Sequence, residues 1–177
     1  DDFAKLRDVM RALRSRRSEV LDAWHVRYEL HFGPQRTLPR PEFMALFGAD
    51  LDAVLEALET GDVAALERDQ RALGNRLLRR GVPFEEIIAS LHFLEESAAI
   101  HLRRRPSVLA HGPEIFLIFD KLSHVRIMLL AQGYFRAHEA EHATTRFALE
   151  SDAAQLDLER RHTFHGMVGG TPVMRGL

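Results

Sequence analysis

Apolar residues recur along this chain at helical intervals, and glycine and proline cut the pattern into blocks. Phe3, Leu6, Val9, Met10 and Leu13 fall at three- and four-residue steps, which predicts a first helix over 2–14. Val20, Leu21, Trp24, Tyr28 and Phe32 make the apolar side of a second. The stretch FGPQRTLPRP (32–41) reads as a loop, because each X-Pro step disfavours helix at the preceding residue. Pro41 suits the first turn of a third helix, predicted over 41–59. TGD (60–62) breaks it, and Asp62 is placed to cap a fourth helix that runs to Arg80 and stops at Gly81. Pro83 opens a fifth, with Glu85 and Glu86 in its first turn and an end near Arg104, before Pro106.

After HGP (111–113) a long helical pattern begins and extends to about residue 161, with Gly133 its one breaker. Up to Phe135 it is apolar on two sides, which predicts burial in the core. From 136 to 162 it turns polar, with Phe147, Leu149, Leu156 and Leu158 the main large apolar residues. Phe135, His142, Leu149 and Leu156 follow one another at heptad spacing, with a histidine interrupting the series. That predicts either a solvated linker or a helix paired with its twin. No strand pattern or internal repeat stands out. The expected class is all-α, with a body over 1–135, a linker or signalling helix over 136–162 and a short final segment over 163–177.

Composition narrows this picture. A hydrophobic share of 46% in 177 residues supports a true core, and a net charge of −2 implies no general attraction to nucleic acid. The basic clusters around Arg14, Arg79 and Arg103 read as solvated helix ends. The absence of cysteine excludes disulfides, thiolate nucleophiles and Cys-ligated metal centres. The richest apolar run, IFLIFDKLSHVRIMLLA (115–131), carries Asp120, Lys121, His124 and Arg126 and so is a poor membrane span. No signal-peptide pattern is visible, and a cytoplasmic protein is the simplest expectation.

Ten histidines make metal chemistry the first candidate. His92, Glu95 and Glu96 stand at i, i+3 and i+4, on one side of one helix. His124 lies among Leu117, Met128 and Ala131, and His25 and Glu29 are one turn apart on an early helix. If His92, Glu95, His124 and His25 converged, they would suit iron, zinc or manganese. The plainer alternative is a buried His124 satisfied by a carbonyl or carboxylate, with Glu95 and Glu96 in solvent. His138, His142, His162 and His165 read as solvated. Catalysis is not expected: there is no G-x-S-x-G elbow and no P-loop.

RALGNRLLRRGVPFEEIIASL (71–91) resembles the proximal segment of globin-coupled sensors. In that family a glycine precedes the haem-ligating histidine by three residues, and a second glycine follows it by four, before an apolar residue and a proline. Gly74, Gly81, Val82 and Pro83 fill those places, and Leu77 stands where the histidine would be. Leucine has no lone pair for iron, so the resemblance implies a globin-like domain without proximal haem ligation, similar to the haem-less, dimerising domains of RsbR-type co-antagonists. It also implies that Tyr28, Leu77, His92 and His124 line whatever pocket remains.

FHGMVGGTPVMRGL (164–177) resembles the opening of the AAA+ ATPase domain of sigma-54-dependent transcriptional activators. Phe164, Met167, Val168, Gly169, Thr171, Pro172 and Met174 fill the typical places, and Gly170 departs from them. This implies a dimeric regulatory domain joined in cis to an ATPase, reaching RNA polymerase with sigma-54 and DNA only through further domains. The alternatives are a helical iron- or zinc-binding protein and a haem-less module that dimerises or binds partners.

Overall fold

A computed structural model describes residues 2–103 and 114–168. The expected helix end near Arg104 and Pro106, and the tail motif beyond Val168, lie outside them. Among the described residues there are six helices: α1 (Asp2–Arg14), α2 (Arg17–Phe32), α3 (Arg40–Thr60), α4 (Val63–Arg79), α5 (Phe84–Leu102) and α6 (Glu114–Val168). A 3-10 turn, Gly33–Gln35, follows α2. The all-α class expected from the periodicity is therefore present, and α6 extends to Val168. The chain divides into two compact units, Asp1–Ala137 and His138–Leu177.

Local chemistry accounts for the boundaries in the first unit. Asp62 caps α4, its carboxylate accepting the Ala65 N–H at 2.8 Å. At the other end of α4 the Val82 N–H bonds back to Leu77 O at 3.1 Å, and the Gly81 N–H to Leu78 O at 2.7 Å. This pair of bonds is a Schellman cap, and it requires the left-handed φ of 69° that Gly81 supplies. Val82 and Leu77, both buried, complete its apolar contact.

The core sits between α1, α2, α3 and α5, with α2 packed on α5 and α1 on α3. Its centre is aromatic. Trp24 lies 4.7 Å from Phe47 between ring centroids, and Phe43 lies 4.8 Å from both Phe47 and Tyr28. The Trp24 indole N–H donates to Ser90 Oγ at 3.0 Å, so this large side chain is buried without an orphaned donor. Each such side chain contributes about 1.5–3 kcal/mol by leaving water.

The start of α6 departs from the expectation of two-sided burial. Its inward row is Ser123, Arg126, Leu130, Gly133 and Ala137, at alternating steps of three and four. Leu117, Val125, Met128 and Phe135 are exposed on the other side. Glycine stands in this row at 133 because α4 and α6 cross backbone to backbone. A Cβ on Gly74 would overlap the Leu130 carbonyl oxygen, and one on Gly133 would overlap that of Arg71. The pair of glycines that resembled a sensor-globin motif thus has two structural duties, a helix crossing at Gly74 and a cap at Gly81.

Candidate functional site

The histidines that the sequence grouped differ in burial. His25 is completely buried on α2, edge-on to Phe43 at 5.1 Å. Neither of its ring nitrogens has a hydrogen-bond partner, and Nδ1 lies 4.0 Å from the Glu29 carboxylate, too far to bond. Burial without a partner pushes its pKa below the ordinary histidine value, so the ring is neutral at pH 7. His92 and His124 are exposed instead, each beside an acid on its own helix. His92 Nδ1 is 3.6 Å from Glu95, and His124 Nδ1 is 3.6 Å from Asp120.

The expectation that His124 sits in an apolar interior is corrected. It follows Ser123 by one residue, which turns it about 100° off the inward row, and its apolar neighbours Leu117 and Met128 are exposed with it. His124 Nδ1 lies 2.8 Å from the Asp120 carbonyl; as an N–H it donates there, which holds its pKa above the ordinary value. Among the described residues, no three His, Asp or Glu side chains are grouped so as to hold a metal ion.

Tyr28 and Leu77, expected beside a remaining cavity, are fully buried. Leu77 fills the core at the base of the α4 cap. The Tyr28 hydroxyl donates to Glu86 and accepts the Leu38 N–H at 3.0 Å. Glu86 also accepts from the Thr37 N–H at 3.1 Å and the Thr37 hydroxyl at 2.9 Å. Burial and the adjacent carboxylate both raise the Tyr28 pKa, so the phenol keeps its proton. This network ties the α2–α3 connection to the first turn of α5.

A second buried polar cluster grips α6. Arg126 donates to Asp50 at 2.6 Å, Gln70 donates to the other Asp50 oxygen at 2.6 Å, and Arg126 Nε reaches Gln70 Oε1 at 3.3 Å. The three residues come from α6, α3 and α4, and all are buried. They form a closed ring in which the charge of Arg126 and that of Asp50 neutralise each other. A buried ion pair of this kind contributes little net stability against an apolar replacement, and breaking it by removing one partner is costly. In the sequence only Arg126 stands out within an apolar run, since Gln70 lies among Arg68, Asp69 and Arg71, and Asp50 lies two residues from Asp52. The signal that could have found them is that three polar letters, on three helices, have complementary hydrogen-bonding capacity.

An open groove of about 380 Å³ lies between α2, α5 and the start of α6. Glu95, Glu96 and Arg103 of α5 face Arg27 of α2 and Asp120 of α6 across it, with Phe116 and Phe119 as its apolar wall. Arg27 and Glu96 pair at 2.5 Å within it. Its size is that of a small-molecule site. Of the expected site residues, Glu95 alone lines it.

In the second unit two histidines read from the sequence as solvated are exposed and lie side by side. His138 and His142 stand one helical turn apart, with ring centroids 4.3 Å apart and Nε2 atoms 3.1 Å apart. The five letters HEAEH (138–142) have the H-E-x-x-H spacing that places two imidazoles on one helix face. No protein-family model, curated protein or solved structure significantly matches this chain.

Proposed function

We propose that this chain is the regulatory region of a sigma-54-dependent transcriptional activator, with Asp1–Ala137 as a globin-like sensory body and α6 as its dimeric output helix. The observation that carries the reading is the Asp50–Gln70–Arg126 ring. It joins α6 to α3 and α4 through a buried polar contact whose three members satisfy one another. A helix held this way has discrete docked positions rather than a continuum of them, which is what a two-state signal requires. Beyond the ring, α6 carries exposed Phe147, Leu149 and Leu156, apolar surface suited to pairing with a second copy. The resemblance of residues 164–177 to an AAA+ opening supports an ATPase as the effector.

The groove between α2, α5 and α6 is the input in this reading. A ligand there touches Phe116, Phe119 and Asp120 of α6 directly and biases its position. The reading is tested by the coding region and its product. The codons after Leu177 should encode a P-loop, G-x-x-x-x-G-K-[ST], and deleting residues 1–137 should change the ATPase rate of the full product. A downstream region without a P-loop, or a rate indifferent to the deletion, overturns it.

A further inference from the structure

The rings of His138 and His142 are arranged as a metal-binding pair. Their Nε2 atoms are 3.1 Å apart. Two nitrogen donors on one tetrahedral zinc ion, each about 2.0–2.1 Å from the metal, are separated by about 3.3 Å. The observed spacing therefore needs little adjustment before both lone pairs converge on a single ion. In the metal-free pair one Nε2 carries a proton and donates it to the other, and zinc replaces that shared proton.

Two imidazoles leave a tetrahedral zinc ion half-coordinated. Among the described residues no third His, Asp or Glu joins them, and Glu139, one residue from His138, points about 100° away around the helix. The H-E-x-x-H reading as a peptidase centre needs a third ligand, and among the described residues none joins the pair. The missing ligands fit a second copy. Leu149 and Leu156 are 65% and 57% exposed. They follow His142 at seven and fourteen residues, so His142 occupies the same seam position as these leucines in a pair of helices. His138, four residues earlier, occupies the neighbouring seam layer. In a parallel pair the two layers bring four imidazoles together across the axis.

We propose that His138 and His142 bind zinc between two copies of α6, each copy supplying both rings. The site makes pairing of the output helix zinc-dependent. The proposal rests on the pairing of α6 and adds a ligand to it.

The test uses the 177-residue chain, free of any histidine tag and stripped with a chelator, titrated with zinc sulfate by calorimetry. The same samples are followed by analytical ultracentrifugation. Binding of about one ion per two chains, with the dimer strengthened by the metal, is expected from a four-ligand shared site. His138→Ala/His142→Ala should abolish that binding, and these surface substitutions leave the body's core untouched. His92→Ala/His124→Ala should retain it. Absence of binding, or binding that survives His138→Ala/His142→Ala, overturns the site. One ion per chain with no change in mass overturns the sharing. A zinc-independent dimer that binds no zinc would sink the metal site and leave the pairing of α6 standing, so the two ideas fail separately.

Discussion

His25 shows what burial does to a single residue. From sequence it was a candidate ligand, because a histidine one turn from a glutamate is a metal-binding spacing. Sequence could not show that the ring would be enclosed by Phe43 and Tyr28 with both nitrogens unbonded. Its lowered pKa has a sign that can be followed. As pH falls, the unfolded chain takes up a proton on this side chain near pH 6.5, while the folded ring resists. The unfolded state then binds more protons, so His25's share of stability is complete above about pH 6.5 and declines below it. His25→Leu, of similar volume, removes both the orphaned nitrogens and the proton uptake. We expect it to be more stable than the parent by about 1 kcal/mol at pH 7. The advantage should widen toward pH 5.5. Parallel thermal-unfolding curves for the two proteins across this range would refute the assignment.

At the scale of the element, α6 is where hydrophobic patterning misleads. Its first half is rich in large apolar residues, yet the row that faces the core is Ser123, Arg126, Leu130, Gly133 and Ala137. Close approach to α4 selects glycine at 133, and the buried ring selects one arginine. Neither requirement looks hydrophobic in a one-letter string. The ends of α3 and α4 were legible because Gly61, Asp62 and Gly81 act locally, through capping bonds that need no tertiary partner. The Arg126 anchor gives a quantitative expectation. Arg126→Met leaves the Asp50 carboxylate buried and unpaired, at a cost of about 3–5 kcal/mol. Asp50→Leu/Gln70→Leu/Arg126→Met replaces the whole ring with apolar volume and should recover most of that loss. Urea unfolding of the three proteins measures both steps. A triple variant as unstable as Arg126→Met would mean that the ring contributes true net stability.

At the scale of the whole molecule, the order of the described helices and the breaks between them were readable from glycine, proline and a 3.6-residue period. The surface that a partner would use was not. The sequence placed the apolar residues of early α6 inside, whereas Leu117 and Met128 stand outside, eleven residues or three turns apart on one face. Periodicity reports that a face is apolar and is silent on whether this chain or a second one covers it. Exposed leucine and methionine rows on a helix fit association better than solvation. In a homodimer each substitution acts twice, once per copy. Replacing both residues, Leu117→Gln/Met128→Gln, removes apolar burial worth about 1.5–3 kcal/mol per side chain if these residues are covered in the dimer. Dimer affinity should then fall by at least about a hundredfold. The stability of the isolated chain should change by no more than about 0.5 kcal/mol, as expected for exposed positions. Sedimentation of parent and variant over a concentration series, beside their thermal unfolding, separates the two effects. A variant that associates as the parent does would place the pairing surface elsewhere than early α6. A variant that also unfolds early would mean that this face supports the body itself.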